Sequence, residues 1–104
     1  MTFDLVIKGG TVVDPAQGVH AKKDIAVAGG KIVAIEDYVS DGDTHDVIEA
    51  HDLLVTPGLV DLHVHVFWGV TDVGIEADPA CVHRGVTTAV DAGSSGSNTV
   101  AGFN

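Results

Sequence analysis

The stretch LVDLHVHV at residues 59–66 constrains the fold more than any other part of this chain. Its residues alternate strictly. Leu62, Val64 and Val66 fall on one side of an extended strand, and Asp61, His63 and His65 on the other. A strand covered by helices on both faces normally reads apolar throughout. Here one face carries an acid and two imidazoles. If that face is buried, three polar groups without partners would cost several kcal/mol in total. A metal ion offsets that cost, because neutral imidazole nitrogen is a good ligand for zinc and similar ions. Asp61 would then orient a ring from behind.

The surroundings of this strand set its context. Thr56-Pro57-Gly58 punctuates the chain just before it. A loop with Gly69, Thr71, Asp72 and Gly74 follows. Asp78-Pro79 offers a helix N-cap and a first-turn proline, and Gly85 suits the C-terminal cap. Val86–Asp91 is a β-branched strand. The order strand, helix, strand predicts a right-handed parallel βαβ unit over residues 57–104. Ligands of such folds sit at the carboxyl ends of the strands. This makes Asp91 and Trp68 candidates for a substrate pocket. Turn formation with Ala92-Gly93 explains Asp91 equally well, and loop packing explains Trp68.

Residues 1–56 read differently. Phe3, Leu5 and Ile7 alternate with Asp4, Val6 and Lys8, and Gly9-Gly10 breaks the run as a hairpin turn. Thr11–Val13 forms a second short strand, closed by Asp14-Pro15. Residues 16–23 are loop-like. Gly29-Gly30 between two apolar runs is a second hairpin turn. Residues 37–46 carry four aspartates and read as an exposed loop. Val47–Glu49 and Leu53–Val55 add two more short strands. The pattern predicts a small antiparallel sheet, part of a β-sandwich.

Charge and cysteine usage narrow the function. Fifteen acids against five Lys and Arg give a net charge of −10. No base occurs between Lys31 and Arg84, so there is no basic stripe for nucleic acid, and anionic membrane is a poor partner. No apolar run approaches the roughly 20 residues of a membrane span. The single Cys81 cannot form an internal disulfide and reads as a small hydrophobe on the helix. These features predict a cytoplasmic protein. His20 and His45 fall in polar loops, His51 in a turn and His83 near the helix end, and all four read as structural or solvated. Gly93–Gly96 lacks a Walker lysine and reads as a strand-end loop that can line a pocket. With six histidines a chance His-x-His pair is common, so the residues alone leave metal ligation and two satisfied core histidines about level.

The segments DLVIKGGTVVDPAQG, DIAVAGGKIVAI and VIEAHDLLVTPGLVDLHVH resemble the amidohydrolase superfamily, in its cyclic-amidohydrolase group of dihydroorotases, hydantoinases and deacetylases. GVTTAVDAGSSG is similar to the second strand and loop of the deacetylase-like members. The resemblance covers the whole chain, and PGLVDLHVH is its most specific part. It implies an α/β fold in which a (β/α)8 TIM barrel is joined to a small β-sandwich. It implies one or two divalent ions, usually zinc, with His63 and His65 as two ligands. A metal-bound hydroxide would attack the carbonyl of a small amide or acyl ester substrate. A homo-oligomeric parent is compatible with it.

The chain departs from that family pattern in two ways. The family's bridging lysine, two later histidines and proton-shuttling aspartate come from later strands, whereas all four lysines here precede His63 and no acid follows Asp91. No catalytic residue of the family is therefore present, and the expectation is a portion of a longer enzyme, since a barrel takes roughly 250 residues. Dihydroorotases carry an arginine shortly after His-x-His, and this chain has Val66-Phe67-Trp68-Gly69 there. The resemblance therefore favours a deacetylase-like parent. The competing reading is a non-catalytic β-rich module that holds one metal through His63 and His65.

Overall fold

A computed structural model describes residues 2–42 and 44–103. They divide into two compact units, one up to Pro57 and one from Gly58 onward.

The first unit is one mixed sheet. Its strands are β1 (Phe3–Asp14), β2 (Val19–Ala28), β3 (Lys31–Glu36), β4 (Thr44–Glu49) and β5 (Leu54–Val55). The order is β3-β2-β1-β4, with β5 also paired to β1. β1, β2 and β3 are antiparallel in turn, but β4 and β5 run parallel to β1. The antiparallel expectation therefore holds only for the first three strands. β3 and β4 lie on opposite edges, so the connection between them must cross the sheet. It does so by burying Val39, which joins Val6 and Ala26 in the core with Phe3 and Ala34 packed alongside. The loop read as exposed is thus anchored at Val39.

Gly9-Gly10 is not a turn. β1 runs straight through it with a bulge, in which the register shifts between Ile7↔Ile25 and Gly10↔Lys23. Two residues, Lys8 and Gly9, therefore oppose Asp24 alone. Gly9 has φ +68°, a backbone conformation that only glycine adopts cheaply. The expected turn at Gly29-Gly30 is present, with φ +59° and +72° as a primed hairpin turn requires. β2 starts at Val19, so much of the segment read as loop is strand.

The second unit is a parallel pair, β6 (Leu59–Val64) and β7 (Val86–Asp91). Between them lie a one-turn helix α1 (Ala77–Ala80) and a 3-10 turn Val82–Arg84. A second 3-10 turn spans Val100–Phe103. α1 begins one residue before Asp78, with Glu76 at the N-cap position and no side-chain cap bond. Pro79 is tolerated inside it because the first four helical N–H groups have no intrahelical partner. Gly85, at φ +83°, ends the 3-10 turn in the left-handed conformation. Cys81 is buried here as a small hydrophobe. Among the described residues no helix is long and apolar enough to cross a membrane.

Candidate metal centre

β6 carries His63, and His65 lies one residue beyond its end. The strand is therefore two residues shorter than the sequence pattern indicates. The pairing with β7 is irregular between Asp61 and Val64, yet the His63 and His65 rings remain neighbours. The two rings stand edge to face with centroids 5.6 Å apart and an interplanar angle of 73°. His63 is exposed, while Asp61 and His65 are half-buried. The cost of burying three polar groups is accordingly not incurred within this unit.

Asp61 does not touch either ring. Its carboxylate accepts a hydrogen bond from the His63 backbone N–H at 3.0 Å, fixing the strand rather than an imidazole. The residue that holds a ring is Ser94, whose Oγ lies 2.9 Å from His65 Nδ1. Ser94 is 6 % exposed, so its hydroxyl has little access to water. Local sequence reasoning did not single out this residue. The only hint was the glycine-serine loop at a strand end, where ligands of parallel folds collect.

Asp91 closes the strand ends together. Its Oδ2 accepts from Val66 N at 2.9 Å, and its Oδ1 from Gly93 N at 3.0 Å and Ser94 N at 2.6 Å. Desolvation acts to raise its pKa. The N–H groups of Ser94, Val66 and Gly93 and the Ser94 side chain outweigh this and bring it down to about 2. Asp91 is thus held as an anion chiefly by backbone N–H groups. The turn reading accounts for its contacts with Gly93 and Ser94, and the Val66 bond adds a tie to the segment after His65.

Trp68 is 64 % exposed and walls an open depression with Ile75, Glu76, Pro79, Ala80 and Arg84. Neither histidine nor Asp91 lines it. The substrate-pocket candidates Trp68 and Asp91 are therefore not brought together. Of the remaining histidines, His20 and His45 lie on strands rather than in loops, but both face solvent. His51 Nδ1 approaches Glu49 Oε2 at 3.1 Å on the surface of the first unit. His83 is exposed in the 3-10 turn.

Two neighbouring imidazoles fit a borderline ion such as zinc, which takes nitrogen ligands and four-coordinate geometry. Among the described residues no third His, Cys, Asp or Glu joins them. The arrangement fits part of a metal site.

No protein-family model matches the chain. It is 42% identical over 85 residues to a deacetylase of Agrobacterium fabrum, covering 81% of this chain and 21% of that protein. It is 40% identical over 74 residues to a dihydroorotase of Citrifermentans bemidjiense, covering 71% of this chain and 16% of that protein. A crystal structure of a dihydroorotase superposes with a TM-score of 0.78 at 37% identity, over 95% of this chain and 26% of that one.

The chain belongs to the amidohydrolase superfamily. Within it, the chain is cyclic-amidohydrolase-like. It spans about a sixth to a quarter of the length of these relatives. The paired histidines of this amidohydrolase chain therefore stand at the carboxyl end of the first of two adjacent parallel strands.

Proposed function

We propose that this chain is part of a divalent-metal-dependent hydrolase acting on a C–N amide or acyl ester bond, with deacetylase-like specificity. In this reading residues 1–56 are a portion of a β-sandwich. Residues 57–104 open a (β/α)8 barrel. The observation that carries the proposal is the His63–His65 ring pair, 5.6 Å apart, at the end of a parallel strand.

His63 and His65 would hold the ion, each through one neutral ring nitrogen. A bound divalent ion supplies Lewis acidity, which polarises a carbonyl oxygen and brings the pKa of water towards about 7. The chain's own residues prepare the site. Asp61 fixes the backbone of His63. Ser94 holds the His65 ring. Asp91 ties the segment after His65 to the loop after β7. The remaining ligands and the carboxylate that shuttles the proton would come from outside these 104 residues.

The deacetylase-like preference rests on the segment after His65, Val66-Phe67-Trp68-Gly69, which offers no cation to grip a substrate carboxylate. The test is an assay of the longer parent protein with N-acetyl amino acids and with dihydroorotate. Faster hydrolysis of the N-acetyl substrate, abolished by His63→Ala, is expected. Turnover of dihydroorotate alone would replace deacylation with ring opening. Activity unaffected by His63→Ala would exclude the metal reading.

A further inference from the structure

We propose that Asp91 is a positioning residue for His65: together with the Ile75 amide it locks the peptide that follows His65, so that this imidazole is set before an ion arrives. The proposal rests on the reading of His65 as a metal ligand.

Two bonds fall on one peptide unit. The His65 carbonyl accepts from Ile75 N at 2.9 Å, and the N–H of the same unit, on Val66, donates to Asp91 Oδ2 at 2.9 Å. A peptide unit is planar, so holding its oxygen and its N–H together fixes the plane, and with it ψ of His65 and φ of Val66. One unit earlier, the Val64 carbonyl accepts from Ala92 N at 2.8 Å. His65 is thus held through the peptides on both its sides. The other Asp91 oxygen takes Gly93 N at 3.0 Å and Ser94 N at 2.6 Å, so the same carboxylate also places the hydroxyl that meets the His65 ring. One step further on, the Phe103 ring stands edge to face on Phe67 with centroids 4.7 Å apart. The segment after β7 therefore reaches every position from 64 to 67.

His63 is held differently. It falls where the register of β6 on β7 slips, because Leu62 and His63 together oppose Val90 alone. Among the described residues its backbone N–H goes to Asp61 and its ring makes no hydrogen bond. A side chain that is already held does not have to be ordered when a ligand binds, and affinity gains by that saving. His65 is the preset ligand, and His63 is the one that adjusts to the ion.

The experiment titrates zinc into the chain against a chromophoric chelator, and follows hydrogen exchange at the Val66 and Ile75 amides of the metal-free chain. Asp91→Ala should quicken exchange at Val66 and, as the peptide turns, at Ile75. Zinc affinity should fall by about 10- to 100-fold, the range for groups that orient a metal ligand from behind. Asp91→Asn keeps one acceptor oxygen and should fall between Asp91→Ala and wild type. Gly58→Ala is the control. It crowds Thr87 where β6 and β7 begin and leaves the clamp intact, so it should bind zinc as wild type does. Equal loss of zinc affinity in Gly58→Ala and Asp91→Ala would reduce Asp91 to general stability and overturn the assignment. Quickened Val66 exchange in Asp91→Ala with unchanged zinc affinity would overturn it too. If the two amides lose protection in Asp91→Ala as expected while wild type and His63→Ala both take up no zinc, the clamp stands and the metal reading fails.

Discussion

Asp24 Oδ2 lies 2.6 Å from Lys8 Nζ, across the bulge where β1 presents two residues to one of β2. The same carboxylate accepts from Gly9 N at 2.8 Å and Val39 N at 2.9 Å. Lys8 in turn donates to Val39 O at 2.6 Å and sits 4.3 Å over the Tyr38 ring. One buried ion pair thus satisfies the N–H that the bulge frees and pins the crossing that carries Val39 into the core. Asp24→Ala strands a largely buried ammonium and two amide donors, and should cost about 3–5 kcal/mol. Urea unfolding checks this. The pair of Lys23 with the exposed Asp37 is the control. Lys23→Ala should leave the midpoint unchanged, because water screens that pair.

The pH dependence of the same pair has a definite sign. Burial acts to raise the pKa of Asp24, but Lys8 and the amides of Val39 and Gly9 outweigh it and hold it below the ordinary 3.8. Its contribution is present above 3.8 and is lost as pH falls through the depressed value. The hydrogen bond to Asp24 raises Lys8 above 10.5 against desolvation, so its contribution is present below 10.5 and lost as pH rises through the raised value. Stability from this pair should be flat between these limits. In Asp24→Asn the acid limb attributable to this site should disappear from a pH series of unfolding midpoints.

This bulge also shows which parts of the fold were legible in the sequence. Gly29-Gly30 was legible because a hairpin turn is local, and both residues need the positive φ that glycine supplies. Gly9-Gly10 looks the same in one dimension. What makes it a bulge is the facing Asp24 fifteen residues away from Gly9, which no local pattern reveals. The parallel pairing of β4 and the burial of Val39 are non-local in the same way. In the candidate site, His63 and His65 were legible because strand alternation places i and i+2 together. Ser94 was not, because its partner His65 lies 29 residues earlier and a glycine-serine loop carries no periodicity.

Gly58 makes a separate prediction. A Cβ there would lie 2.1 Å from Thr87 Oγ1 and 2.8 Å from Thr87 Cβ. Rotating the Thr87 side chain moves the oxygen but not its Cβ, so the clash must be relieved by the backbone where β6 and β7 begin. Gly58→Ala should destabilise by about 1–3 kcal/mol, as overpacking does. Adding Thr87→Gly removes the obstructing Cβ and should recover part of the loss. A double-mutant cycle on unfolding free energies measures that coupling. Strictly additive effects would mean that the two residues do not meet.

Asp91 supplies the last prediction. Its carboxyl should titrate at about 2, followed by the 13C shift of the carboxyl carbon. Because its folded pKa is depressed below the ordinary 3.8, its contribution to stability is present above 3.8 and is lost as pH falls towards 2. Ser94→Ala removes one of the hydrogen bonds that hold it down, so the midpoint should rise. Asp91→Asn keeps one acceptor oxygen but replaces the other with an amide donor facing the N–H of Val66 or of Gly93 and Ser94. The loop after β7 should then loosen. Hydrogen exchange at the Ser94 amide is expected to quicken, while exchange in β1 and β2, which belong to the other unit, stays at its wild-type rate. Equal acceleration in both units would instead mean that the substitution lowers global stability, and that Asp91 does not act as a local clamp on the His65 segment.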